Sequence, residues 1–101
     1  MKSPTTLHFH VTGRMQGVWF RGWTQMTARG LGLVGWVRNE PDGSVRGAAQ
    51  MPEGAPEGGS AQALESFRLA LRHGPESALV AHVEEEWREG GERFADFRVL
   101  R

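Results

Sequence analysis

The sequence contains no cysteine among its 101 residues. This absence excludes disulfide bonds, thiolate nucleophiles and zinc sites built on thiolates. The chain also lacks net charge, because 12 basic side chains balance 12 acidic ones. It therefore has no long-range positive field of the kind that nucleic-acid binding usually requires. Any anion that the protein binds is expected to be small and held by local groups.

Long apolar runs are missing as well. The first ten residues, MKSPTTLHFH, contain no apolar stretch of signal-peptide length, and no later stretch approaches a membrane span. We therefore expect a cytoplasmic protein that does not bind membranes. The length suits one modest core, so a single domain over residues 1–101 is predicted.

The spacing of apolar residues predicts strands at 7–11, 34–39, 44–50, 78–87 and 94–100, with one helix from Phe20 and a second helix that Ser60 can cap. The apolar stripes of the two helices are Phe20, Trp23, Thr27 and Leu31, and Leu64, Phe67 and Leu71. The order is β-α-β-β-α-β with an extra strand at the end. It predicts an α+β, ferredoxin-like fold, in which both helices cover one face of an antiparallel sheet and an extra C-terminal strand is added.

The segment GRMQGVWFR, residues 13–21, lies between the first strand and the first helix. Backbone N–H groups in a tight turn before a helix can converge on one anion, and the helix N-terminus adds partial positive charge. Arg21 can place its planar fork beside the same anion. A simple chain reversal followed by a solvated arginine explains the segment equally well when it is taken alone.

Asn39, at the end of the second predicted strand, favours the anion site through topology. A strand-helix-strand crossover is right-handed and leaves both strands pointing the same way. The turn at 13–21 and Asn39 should then share one edge of the sheet, about 10 Å apart if one strand lies between them. The alternative for Asn39 is a turn residue that bonds its own backbone before the EPDG sequence.

Three histidines offer the one candidate metal set. His8 and His10 share a strand face and could bind an ion together with His82 if the first and fourth strands pair. No supporting carboxylate is evident beside them, and there is no cysteine to complete the set. We therefore expect no metal site.

Two segments carry a family resemblance. VTGRMQGVWFR (11–21) and GWVRNEPDGSV (35–45) resemble the two signature segments of the acylphosphatases. The first family pattern is Gly-x-Val-Gln-Gly-Val-x-Phe-Arg, and this chain departs from it only in Met15, which replaces valine. The second begins Gly-aromatic-Val-basic-Asn followed by Gly-x-Val, and this chain matches that part at Gly35 to Asn39, Gly43 and Val45. A later glycine of that pattern is Met51 here.

The resemblance implies that the chain hydrolyses acyl phosphates to a carboxylate and inorganic phosphate. It assigns Arg21 and Asn39 as the catalytic residues, with Asn39 orienting the attacking water. The substrate phosphate would be held by Arg21 and by the backbone amides of residues 15–20, which are Met15, Gln16, Gly17, Val18, Trp19 and Phe20. We expect no cofactor, no metal and no nucleic-acid partner, and we expect a monomer.

Two alternatives belong to other classes. The same fold occurs as a domain of hydrogenase-maturation factors, which process carbamoyl phosphate, but at 101 residues we do not expect a further catalytic domain. An RNA-recognition module shares the β-α-β-β-α-β order. Such a module needs aromatic side chains on its first and third strands, and SVRGAAQ, residues 44–50, contains none.

Overall fold

The secondary structure follows the predicted order. The structure is a computed structural model that describes residues 4–15, 19–55 and 59–101, except for the side chains of residues 59–61. The elements are β1 (Thr5–Arg14), α1 (Phe20–Gly30), β2 (Val34–Asn39), β3 (Val45–Gln50), α2 (Gly59–His73), β4 (Leu79–Glu89) and β5 (Phe97–Leu100). β2 has the predicted bounds, β1 is longer at both ends, and α2 begins at Gly59, one residue before the predicted cap Ser60.

The five strands form one sheet in the order β4-β1-β3-β2-β5. β1 pairs antiparallel with β3 and β4, and β2 pairs antiparallel with β3. The extra strand departs from the expected antiparallel sheet, because β5 runs parallel to β2 and makes the sheet mixed. The reason is the direction of β4, whose last residue lies at the same end of the sheet's strands as the first residue of β2. After β4, one outer strand of the sheet, the chain passes along this same end of the strands to the opposite outer position. It enters β5 there, so β5 runs in the direction of β2.

The buried side chain of Gln50 holds this crossing segment in place. Its Nε2 donates to Thr6 Oγ1 at 2.8 Å and to the carbonyl of Glu92 at 3.3 Å, and its Oε1 accepts from the amide of Phe94 at 3.0 Å. The carbonyl of Asp96 accepts from the amide of Gly35 at 2.8 Å. These contacts occupy residues 92–96, which explains why β5 begins at 97 rather than at the predicted 94.

The core lies between the sheet and both helices. The predicted inward residues of β1 (Leu7, Phe9 and Val11) and of α2 (Leu64, Phe67 and Leu71) are all buried in it. Phe67 packs edge-on against Phe9, with ring centroids 5.4 Å apart. The predicted stripe of α1 is only partly right. Its buried residues are Phe20, Gly22, Thr24 and Ala28, while Trp23 and Leu31 flank the core.

The turn between β2 and β3 positions the end of β2. The amide of Gly43 donates to the carbonyl of Glu40 at 3.0 Å, which is the hydrogen-bonded turn predicted from EPDG. Gly43 has φ +89°, a conformation that glycine adopts without strain. Asn39 therefore ends β2, directly before the chain reverses.

No helix among the described residues is both long and apolar enough to cross a membrane.

Candidate active site

The topology brings Arg21 and Asn39 to one cleft. β3 lies between β1 and β2, as the sequence predicted, and α1 follows β1 while Asn39 ends β2. The cleft has a volume of about 520 Å³. Its lining residues are Met15, Trp19, Phe20, Arg21, Gly22, Gln25, Asn39, Glu40, Pro41, Gly43 and Val99. Two segments that are far apart in the chain thus contribute to a single concave surface.

The predicted phosphate-binding residues divide into two groups. Met15, Trp19, Phe20 and Arg21 line the cleft together. The other three, Gln16, Gly17 and Val18, lie outside the described residues. The site of the predicted amide cradle is thus flanked on both sides by residues that line the cleft.

The N-terminus of α1 opens into the cleft. Trp19 precedes the helix in a left-handed conformation, with φ 57° and ψ 38°, and its carbonyl accepts from the amide of Trp23 at 3.0 Å. Within the described part of the chain, no side chain caps this helix and its first turn has no acidic residue. The partial positive charge of the helix end is therefore available to an anion.

The side chain of Arg21 is held by a residue near the C-terminal end of the sequence. Its Nη1 donates to the main-chain carbonyl of Leu100 in β5 at 3.1 Å. A guanidinium has five N–H donors, so this contact orients the group while leaving donors for a ligand. The side chain is half-buried at the cleft. This arrangement suits a bidentate contact to two oxygens of one anion.

Glu40 is the one carboxylate among the described residues that line the cleft. Its Oε1 accepts from Arg38 Nε and Nη2, both at 3.3 Å, and from Arg46 Nε at 3.0 Å. Two guanidinium groups therefore offset its charge. Among the described lining residues, Arg21 therefore has no equally unpaired carboxylate beside it, which favours an anionic ligand.

Asn39 has its side chain exposed at the end of β2, where it pairs with Val45 of β3. No group among the described residues forms a hydrogen bond with the side-chain amide of Asn39. The alternative in which Asn39 bonds its own backbone therefore does not hold for the described part of the chain. Among the described residues, no group therefore competes with a water molecule or a ligand for the side-chain amide of Asn39.

A hydrogen-bond chain that sequence reasoning missed braces the turn after Asn39. Ser44 donates to Asp42 Oδ1 through its hydroxyl at 2.6 Å and through its amide at 2.9 Å. These two bonds are the main reason that the pKa of Asp42 is lowered. His10 Nε2 lies 2.7 Å from Ser44 Oγ, whose proton is directed to Asp42, so the ring donates through Nε2–H. The D-x-S spacing was the available signal, since aspartate commonly bonds a backbone amide two residues later.

The histidines considered for a metal lie on paired strands. β1 and β4 pair as that hypothesis required, with Thr12 opposite His82 and His8 opposite Glu86. Nevertheless, no group of three histidine, aspartate or glutamate side chains in the described ranges is arranged to hold an ion. Burial is the main cause of the lowered pKa of His8.

Comparison with known proteins identifies the family. A sequence model of the acylphosphatase family matches residues 7–99. The chain belongs to the acylphosphatase family. It is accordingly an enzyme of the hydrolase class. A curated acylphosphatase of Salinibacter ruber is 45% identical over 91 residues, which cover 90% of this chain and 87% of the relative. An acylphosphatase of Rhodospirillum rubrum is 48% identical over 75 residues, or 74% of each chain.

Solved structures of this family share the fold. The crystal structure of acylphosphatase from Bacillus subtilis superposes with a TM-score of 0.83 at 32% identity, covering 96% of this chain and 99% of that one. The ferredoxin-like expectation is thereby confirmed. HypF from T. kodakarensis matches with a TM-score of 0.72 at 24% identity, but this chain covers 12% of it. That second likeness shows the fold alone.

Proposed function

We propose that this acylphosphatase-family enzyme hydrolyses acyl phosphates, which are mixed anhydrides of a carboxylic acid and phosphoric acid. The observation that carries the proposal is the meeting of Arg21 and Asn39 in one cleft at the N-terminus of α1. The cleft offers a cation, a helix end and the Asn39 side-chain amide, to which no described residue bonds, and its one described carboxylate is paired with two arginines. Such a set suits a phosphate and a water molecule.

In the proposed mechanism, the phosphate binds to Arg21 and to the backbone amides of residues 15–20. Asn39 orients a water molecule, whose oxygen forms a bond to phosphorus. The bond from phosphorus to the bridging oxygen breaks, and its electron pair leaves with the carboxylate. A phosphate oxygen of the substrate accepts the water proton. The anhydride is already activated, so positioning and charge stabilisation are the main contributions required of the protein.

We also propose that the enzyme works as a cytoplasmic monomer of one domain, without a cofactor, a metal ion, a membrane or a nucleic acid. The support is the balanced charge and the single hydrophobic core shared by both helices and the sheet. Arg21 takes the role that a metal ion would otherwise have, because its guanidinium offsets charge on the phosphate oxygens.

The test is phosphate release from purified protein with benzoyl phosphate, acetyl phosphate and carbamoyl phosphate. Hydrolysis of both carboxylic substrates, with competitive inhibition by inorganic phosphate, is the expected result. Activity confined to carbamoyl phosphate would favour the accessory role known from hydrogenase maturation. A folded protein that releases no phosphate from any of the three would refute the proposal.

A further inference from the structure

Trp19 is the most exposed large apolar side chain in the part of the chain that the structure describes. The residue is 67% exposed and lies on the wall of the candidate active site. An exposed apolar side chain on the wall of a cleft gains stabilisation when a bound ligand covers it. Its position two residues before Arg21 places this apolar surface beside the proposed phosphate site.

The backbone of Trp19 makes the choice of residue more unusual. It is the one non-glycine residue with positive φ in the described ranges, at 57°. The left-handed region disfavours side chains with a Cβ, so glycine would fit this position with less strain. A tryptophan here costs conformational energy, and a residue that is 67% exposed recovers little of that energy through burial. A strained residue in a cleft supports a functional role.

Gly22 allows the indole ring to lie close to α1. A Cβ built on Gly22 would come within 1.9 Å of Trp19 Cε2 and 2.2 Å of Trp19 Nε1. The ring therefore packs against the backbone of the first helical turn, in space that no other residue type would leave free. This contact holds the ring beside the cleft, which Gly22 also lines.

The remaining wall of the cleft is poor in charge. Val99, Pro41 and Phe20 contribute apolar surface. Arg21 is the one cation among the described lining residues, and it would already be bound to the phosphate of the substrate. An acyl group that carried a second carboxylate would therefore find no cation in the described wall. An uncharged apolar acyl group would find a large aromatic face.

We propose that Trp19 is the specificity-determining residue for the acyl half of the substrate and selects aromatic or bulky apolar acyl groups. This inference rests on the proposed hydrolysis of acyl phosphates. Arg21 holds the phosphate of the bound substrate, and the acyl group extends from that site over the indole of Trp19. Aromatic rings gain attraction from offset or edge-to-face contact beyond the burial of area, so benzoyl benefits more than acetyl.

The experiment compares kcat/KM for benzoyl phosphate and acetyl phosphate in the wild type and in four variants. Trp19→Ala should lower the benzoyl-to-acetyl ratio by roughly tenfold. Trp19→Phe should retain most of the ratio, because it keeps an aromatic face. Gly22→Ala should lower the ratio without removing the ring, because the new methyl group displaces the indole. Trp87→Ala, which removes another exposed tryptophan on β4, is the matched control and should keep the ratio.

A second measurement separates the inference from the proposed function. Calorimetry with the non-hydrolysable benzoylphosphonate and acetylphosphonate reports acyl recognition even if no substrate turns over. An unchanged benzoyl-to-acetyl ratio in Trp19→Ala, in both kinetics and binding, would overturn the role of Trp19 while leaving hydrolysis intact. Absence of phosphate release from the wild type would instead refute the proposed function. Loss of benzoylphosphonate binding in Trp19→Ala would then still support acyl recognition.

Discussion

The guanidinium of Arg21 and the main-chain carbonyl of Leu100 are joined by a hydrogen bond of 3.1 Å, although the two residues are 79 positions apart in the chain. The contact ties the first turn of α1 to β5, the strand that adds to the edge of the sheet beside β2. An arginine side chain has considerable rotamer freedom, and fixing it before binding reduces the entropy lost when an anion arrives. The extra strand thus contributes directly to the candidate site.

Replacing Arg21 tests the anion site. Arg21→Ala should weaken phosphate binding by roughly 2–4 kcal/mol, because a bidentate charge-assisted contact is lost. Arg21→Lys should recover only part of this loss, since an ammonium keeps the charge but lacks the planar fork. The measurement is the inhibition constant of inorganic phosphate. Arg98→Ala, which removes an exposed arginine of β5 that pairs with Asp96, serves as control. Equal phosphate affinity in Arg21→Ala and the wild type would remove Arg21 from the site.

Replacing Asn39 separates turnover from binding. If its amide orients the water, Asn39→Ala should bind phosphate nearly as the wild type does and lose kcat, because the contact matters mainly in the transition state. Asn39→Asp should impair both, since a carboxylate repels the substrate. Gln25→Ala is the matched control. Gln25 lines the same cleft, but its amide donates to the carbonyl of Phe97 at 3.0 Å, so its loss should not produce the kcat defect expected of Asn39→Ala. An intact kcat in Asn39→Ala would exclude Asn39 from the mechanism.

The turn after Asn39 should contribute a pH-dependent part of the stability. The pKa of Asp42 is lowered, chiefly by the Ser44 hydroxyl and then by the Ser44 amide. The folded protein therefore binds this proton more weakly than the unfolded chain does. Ionised Asp42 stabilises the fold above its ordinary pKa, and this contribution is lost as the pH falls through the lower folded value. Asp42→Asn should thus destabilise the protein at neutral pH, and the difference should vanish in acid.

Denaturant unfolding of the wild type and Asp42→Asn across the acidic range measures this difference. Ser44→Ala is the companion variant, because it removes the hydroxyl donor and should raise the pKa of Asp42 toward its ordinary value. NMR titration of the Asp42 carboxyl follows that shift. A pKa that does not move in Ser44→Ala would contradict the assignment of the hydroxyl as the main cause.

Chelation should leave the rate of hydrolysis unchanged. In the proposed mechanism the phosphate charge is met by Arg21 and by backbone amides, so no step requires a divalent cation. The measurement is the initial rate with benzoyl phosphate before and after dialysis against a chelator. A rate that falls and then recovers on addition of one divalent metal would show that the mechanism lacks a component.

Local sequence determined much of the architecture. Alternation in Leu7, Phe9 and Val11 and the spacing of Leu64, Phe67 and Leu71 predicted the buried faces of β1 and α2, because burial of one face imposes a period on each element. The handedness of the crossover then brought Asn39 to the edge of the sheet near Arg21. The signature segments indicated the family, which the comparison confirmed. These features depend on neighbours in sequence or on general rules of chain topology.

Contacts between distant segments were decided only by the tertiary structure. The bond from Arg21 to Leu100, the clamp by Gln50 and the parallel pairing of β5 each depend on where the chain returns after β4. Periodicity carries no information on such returns, because it describes which face of an element is buried and not which residue lies opposite. The packing of the Trp19 ring on Gly22 could not be predicted from the sequence for a similar reason. Residue spacing does not show that a left-handed backbone will turn an exposed indole onto the first turn of the helix that follows it.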